Sequence, residues 1–178
     1  MIKDYIEQLN ECLPTVSEIQ ENFERTIGKK LTTEEAEEYQ YRMRILYEKK
    51  SDFKNLIEDL VLNTNISFIS VGSINFAFDI KEIEEDIISF AEYRDGVIEI
   101  CYDNNGKVYV LDNDTEEVGV FTNDYTIFLQ FLVFYQRIYN NKIFRSKSPS
   151  DIEQKTLLLL TEKGLAKKIA GELIEELI

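Results

Sequence analysis

The first sixty residues carry apolar side chains at helical spacing. Ile2, Tyr5, Ile6, Leu9 and Leu13 follow an i, i+3, i+4, i+7 stripe, which predicts an amphipathic helix ended by Pro14. Thr15 followed by Glu18 reads as the capping box of a second helix, with Val16, Ile19, Phe23 and Ile27 on its apolar face and Gly28 as its terminator. Thr32 with Glu35 opens a third pattern, long and helical, through Ala36, Tyr39, Met43, Leu46, Tyr47, Phe53, Leu56, Ile57 and Leu60. Ser51-Asp52 is its candidate interruption, because both side chains compete with the helix for backbone hydrogen bonds.

The period then shortens to that of strands. Ile66–Val71 and Ile74–Phe78 are β-rich runs separated by Gly72-Ser73, and Val97–Tyr102 and Val108–Leu111 flank Asp103-Asn-Asn-Gly106. Asn105-Gly106 predicts a tight hairpin turn with positive φ at both central positions. Val118–Phe121 adds a strand after the acidic loop Asp112–Glu117, and Glu82–Ile88 suggests a short acidic turn of helix. Helix returns at Asp124, with Tyr125, Phe128, Leu129, Leu132, Tyr135 and Gln136 on one side and Phe131 and Phe134 widening the apolar face. Asn140–Ser148 reads as a polar, basic linker, and Ser148-Pro149 as the cap of a final helical stretch. That stretch carries Ile152, Leu157, Leu158, Leu160, Leu165, Ile169, Leu173, Ile174 and Leu177, as one helix or as two broken near Gly164. The expectation is one α+β domain over residues 1–178, helical over 1–62 and 124–178. Its centre, 63–123, is an antiparallel sheet of about four to six strands, with the helices packed around it.

Charge sharpens this division. The chain holds 34 acidic and 20 basic residues, a net −14. Residues 63–136 alone contribute 14 acidic against 3 basic, or −11, while residues 1–62 contribute −5 and residues 137–178 contribute +2. So acidic a protein disfavours nucleic-acid backbones and anionic membranes; its field would attract cationic partners, the alternative being acidic loops that only keep it soluble. No stretch nears the roughly 18 apolar residues of a membrane span, and the charged first residues are unlike a signal peptide. A cytoplasmic protein with reduced thiols is the expectation.

Histidine is absent and there are two cysteines, Cys12 and Cys101, which excludes histidine triads, Cys-His dyads and the usual zinc sites. Asp103, Asn105, Gly106 and Asp112 match part of a calcium-loop template. Cys101 stands where its first ligand belongs, however, and the flanks read as strands, so a plain hairpin is favoured and no metal or cofactor is expected. Asp112-Asn-Asp114 with Glu116 and Glu117 could supply paired carboxylates, but neither GxxxxGK[ST] nor GxGxxG accompanies them. Cys101 reads as a buried thiol, and Ser146-Lys147 lacks any supporting motif. Tyr93, Tyr102, Tyr109 and Tyr125 cluster in the sheet region, where tyrosine beside acidic groups suits protein recognition and, alternatively, core packing with satisfied hydroxyls.

Two stretches resemble the SUKH superfamily of bacterial immunity proteins and fungal regulators of cell-wall glucan synthesis. The first, Glu18–Leu31, is similar to the family's opening helix, glycine and leucine. The second is Ile88–Ala91, Gly96–Asp103, Gly106–Tyr109, Leu111–Asp114, Phe121 and Tyr125–Leu129. It looks like the family's strand, turn, strand, acidic turn and closing helix. The resemblance implies a non-enzymatic binder, often one that neutralises a toxin encoded beside it. Joined to the charge pattern, it predicts an immunity protein that masks a cationic toxin, for example a nuclease. Its docking face would comprise Glu82, Glu84, Glu85, Asp86, Tyr93, Asp112, Asp114, Glu116, Glu117 and Asp124. The alternative is a regulatory or scaffold module that binds a cellular protein or small ligand.

Overall fold

The computed structural model describes residues 2–53 and 55–175; Leu177, assigned above to the last apolar stripe, lies outside them. Three helices open the chain: α1 (Ile2–Glu11), α2 (Val16–Ile27) and α3 (Thr33–Arg42). Both capping boxes form as the spacing predicts, Thr15 with Glu18 and Thr32 with Glu35, and Gly28 closes α2. Ile27, assigned to the buried stripe, is exposed. The inward face of α2 instead carries Ile19 and Asn22, whose amide donates to the Ile143 carbonyl at 2.6 Å.

The long third helix does not form. It stops at Arg42, well before Ser51-Asp52, and helix resumes only as α4 (Leu56–Leu62). Three asparagines explain the break by mimicking peptide groups. Asn10 donates to the Ile45 carbonyl and accepts its N–H, both at 2.9 Å. Asn65 accepts the Leu46 N–H at 2.6 Å and donates to the Arg44 carbonyl at 3.1 Å. Asn63, fully buried, accepts the Lys50 and Ser51 N–H groups at 2.7 and 3.1 Å and donates to the Ser51 carbonyl at 2.8 Å. Backbone groups that a helix would have paired internally are satisfied from outside, and the segment stays irregular.

Ile66–Val71 is not a strand either. Ile66–Phe68 makes one 3₁₀ turn, and Val71 pairs with Ile74 around Gly72-Ser73. The sheet follows as an antiparallel meander, β1 (Asn75–Glu84), β2 (Ile87–Tyr93), β3 (Ile98–Asp103), β4 (Val108–Asp112) and β5 (Glu117–Thr122), with spatial order equal to chain order. The acidic stretch read as helical, Glu82–Ile88, is a strand–turn–strand: Glu84 pairs with Ile87 across Glu85-Asp86. Asn105-Gly106 does lie in a hairpin, but only Gly106 has positive φ, 89°. Asp103 pairs with Lys107 across three residues, which is a longer connection than the two-residue turn. The β2–β3 connection is Arg94–Val97, with Arg94, Asp95 and Gly96 all at positive φ (55°, 52° and 86°) and the Val97 N–H donating to the Arg94 carbonyl at 3.1 Å.

α5 (Tyr125–Arg145) crosses one face of the sheet, capped by Asp124, which accepts the Thr126 N–H at 2.7 Å. Phe128 meets Phe90 and Phe121 edge to face at 5.5 and 5.7 Å, and Phe131 stacks on Tyr135 at 5.6 Å. Residues 140–145, expected as linker, continue this helix because α2 holds them: Arg25 donates to the Ile143 carbonyl, Phe144 is buried, and Arg145 pairs with Glu18 at 2.7 Å. The final helices are α6 (Asp151–Glu162) and α7 (Lys167–Glu175), separated at Gly164. Ser150, not Ser148, caps α6, through a capping box with Glu153. Ile152 and Leu158, assigned to the buried stripe, face solvent, whereas Leu160, Leu165, Leu173 and Ile174 are buried. α7 packs back onto the sheet at Gly119, where Ile169 lies, and the Ala166 N–H donates to the Phe121 carbonyl on the β5 edge at 2.7 Å.

Two outcomes test this packing. Asn63→Ala strands three backbone groups and should lower unfolding free energy by about 2–4 kcal/mol in urea titration, whereas a surface asparagine change should cost under about 0.5. The Arg145 hydrogen bond and the Thr15 N–H pull the Glu18 carboxyl down to about 2 from an ordinary 4.5 against the opposing effect of burial. A depressed carboxylate stabilises above its unfolded value and loses that contribution as pH falls through its folded value. Wild type should therefore exceed Glu18→Gln in Tm at pH 7, with the gap closing between about pH 4.5 and 2. Glutamine keeps the capping geometry, so a gap as large at pH 2 as at pH 7 would rule out the charge as its source.

Candidate protein-binding surface

Strand alternation divides the sheet's side chains into two sets. Phe76, Phe90, Tyr93, Ile100, Tyr102, Val108 and Phe121 are buried among the helices; Tyr102 donates to Glu58 of α4 at 2.9 Å. The opposite face carries two rows of cross-strand partners. One runs Asn75, Glu92, Glu99, Leu111, Val118 and the other Lys81, Ser89, Cys101, Tyr109, Val120. Glu92, Val118 and Val120 are exposed, and Glu99, Tyr109 and Leu111 half-buried. This outer face combines an apolar β4–β5 half with an acidic β2–β3 half.

The acidic turns flank it at both ends. Glu82, Glu84, Glu85 and Asp86 lie on or beside the β1–β2 turn, at the same end as Asp124, which follows β5. Asp112, Asp114, Glu116 and Glu117 surround the β4–β5 turn at the other end. Strands of five or six residues separate the two groups by roughly 15–20 Å, so the expected single face resolves into two acidic tips. Each end is tied by an asparagine: Asn104 donates to Asp86 at 2.8 Å, and Asn113 to the Gly96 carbonyl at 2.8 Å. Four of the assigned carboxylates also hold local structure, Glu82 by accepting the Asp86 N–H at 3.4 Å. Asp124 caps α5, Asp86 accepts from Asn104, and Asp112 accepts the Asp114 and Thr115 N–H groups at 2.9 and 3.1 Å.

Tyr93 departs from its expected place on this surface. It is 4% exposed, on the inner side of the sheet, with the Arg94 guanidinium 5.4 Å from its ring centroid. The reason is register: it pairs with Ile98, which by strand alternation shares the inward face of Ile100 and Tyr102 and packs against the core. Tyr102 is likewise core, and burial with the Glu58 contact raises its pKa. Tyr109 and Tyr125 are the half-exposed pair. The Tyr109 hydroxyl donates to Asp103 at 2.8 Å. Burial opposes ionisation of Asp103, but bonds from Tyr109 and from the Lys107 and Asn105 N–H groups hold its pKa below the ordinary value. This carboxylate spends its lone pairs closing the hairpin that resembled a calcium loop.

Among the described residues no three Cys, Asp or Glu side chains converge as metal ligands, and no helix is long and apolar enough to cross a membrane. Ser146 ends α5 in the left-handed region, φ 50°, and its hydroxyl accepts from Arg25. Residues absent from the sequence-based surface include Glu92, Glu99, Phe68 and Phe78. Glu92 and Glu99 were readable from Asp95-Gly96, since a turn centred there pairs 93 with 98 and 92 with 99. Phe68 and Phe78 sat in β-rich runs that read as strands, and nothing local marks them as exposed.

Comparison with protein-family models, curated proteins and solved structures finds no match to this chain.

Burial, with Glu99 adding to it, pushes the Cys101 thiol up to about 12, and burial raises Cys12 too. Native protein should therefore leave both thiols unreacted with a disulfide reagent at pH 8 over minutes, and release two equivalents on unfolding in guanidinium. Fast native labelling would make Cys101 an accessible group on the outer face.

Proposed function

We propose that this chain is a non-enzymatic protein-binding protein of the immunity type that the SUKH resemblance implies, masking a cationic toxin. The observation that carries the reading is the open sheet face, apolar along Tyr109, Leu111, Val118 and Val120 and flanked by carboxylate-rich turns at both ends. A cationic partner would be steered to the tips by long-range attraction, while the apolar half supplies contact area once water is expelled. Two separated tips would also orient the partner, because a complementary surface must present basic groups at both ends.

On this reading a secreted toxin domain is encoded beside this gene and is the partner for the test; a metabolic operon in that place would count against the reading. Co-expression of the chain should restore growth to cells making that domain, and stopped-flow association should slow steeply as salt rises. Lysine at Asp114, Glu116 and Glu117, or at Glu82, Glu84 and Glu85, should lower the on-rate about tenfold or more, with dissociation changed less than about threefold. These groups lie on the surface, so stability should move by less than about 0.5 kcal/mol. An on-rate indifferent to both salt and reversal would reduce the tips to a solubility feature. A stoichiometric partner recovered from a toxin-free extract, with no rescue of growth, would favour the regulatory module instead.

A further inference from the structure

β1 and β2 lose register beside this face. Phe76 pairs with Ala91 and Lys81 with Ser89, so four residues of β1, Ala77–Ile80, stand against one of β2. The excess chain bulges, and a groove of about 560 Å³ opens along it, lined by Phe68, Phe78, Asp79, Lys81, Glu92 and Glu99 among others. Two properties of that lining are costly in the free protein. Phe68 and Phe78 are 78% and 71% exposed, and their rings lie edge to face at 5.0 Å. Large aromatics left this open are the kind of group that interfaces cover. Glu92 and Glu99 are direct cross-strand partners, and like charges placed opposite one another destabilise a sheet. The Asn113 amide reaches Glu99 at 3.3 Å, but it brings no positive charge. Three carboxylates against the single ammonium of Lys81 leave the groove anionic.

We propose that this groove seats an arginine side chain of the cationic partner, the guanidinium bridging Glu92 and Glu99 with its flat face against the Phe68–Phe78 rim. This rests on the reading above, that the partner is a cationic protein. Arginine fits the lining better than lysine does. Its planar fork offers donors to two carboxylates at once, and its weakly hydrated face stacks on aromatic rings. Binding would remove the repulsion between the two glutamates and cover the two rings, so both costs in the free protein become gains in the complex. A second copy of this chain, at net −14, would bring more negative charge to an anionic groove and is the wrong occupant.

The probe is N-acetyl-arginine N-methylamide, titrated into the full chain while ring resonances of labelled phenylalanine are followed by NMR. Phe68 and Phe78 should shift saturably in the millimolar range. The isosteric citrulline amide should bind at least about tenfold more weakly and the lysine amide about threefold. Glu92→Gln and Glu99→Gln should each weaken the probe about fivefold or more, while Glu92→Gln raises Tm by roughly 1–3 °C by removing the repulsion. Phe78→Ala should weaken the probe without lowering Tm, since the ring is exposed. Equal binding of citrulline, shifts spread evenly over the acidic tips, or a lower Tm with unchanged binding in Glu92→Gln would each overturn the assignment. So would concentration-dependent dimerisation abolished by Phe78→Ala. If the probe fails while association with the toxin domain remains salt-steered, the groove assignment falls and the functional reading stands. If the probe binds as described and that association is indifferent to salt, it is the functional reading that fails.

Discussion

Everything else in this structure depends on α5 lying across one face of the meander. Its 21 residues include eleven that are buried, and Phe128 and Phe131 reach Phe90 and Phe121 of the sheet. Each such aromatic removes on the order of 150–250 Å² from water, more than any polar contact in the molecule can match. Close approach is required at the helix's middle: a Cβ at Gly72 would stand 2.4 Å from the Tyr135 ring, at φ 61°. That turn is locked further by the Gly72 N–H donating to Gln136 at 2.7 Å and by a Ser73–Tyr135 hydroxyl contact at 2.5 Å.

Once that face is filled, α1, α2 and α4 arrange themselves around the same helix. α2 grips its last turns through Asn22, Arg25 and Glu18, and α1 meets its middle, where Cys12 contacts the Val133 carbonyl and Asn140 donates to the Cys12 carbonyl. The helices thereby concentrate on one side and leave the other sheet face to solvent. An antiparallel sheet tolerates this, because its alternate residues need not be apolar. Here they are a mixture of valine, leucine, tyrosine and glutamate, and that mixture is what gives the outer face a use.

The same economy of residues recurs at the sheet's ends. Asp86, Asp112 and Asp124 contribute negative field at long range and also hold turns or a helix terminus. The Glu92–Glu99 pair differs in kind. It makes the isolated sheet worse, and it lies beside two phenylalanines that bury little of themselves in the native chain. Sites at which local rules are broken together in one groove are where function is most economically sought.

The amino-acid sequence by itself determined the α+β class, the capping boxes at Thr15 and Thr32, the strands around Asp103–Gly106 and the concentration of charge in the middle segment. These are local: a cap needs two residues three apart, and a hairpin needs its turn and two alternating runs. Periodicity failed where a distant side chain outcompeted the local pattern. Asn10, Asn63 and Asn65 draw the stretch after Arg42 out of helix from elsewhere in the chain, and α2 keeps residues 140–145 helical. Only tertiary structure decided which charges share a surface, because a meander sends successive turns to opposite ends and so separates groups that sequence proximity had joined. It alone placed Tyr93 inward and Phe68 and Phe78 outward, since exposure depends on which face the helices cover and on a four-residue bulge that no local signal marks.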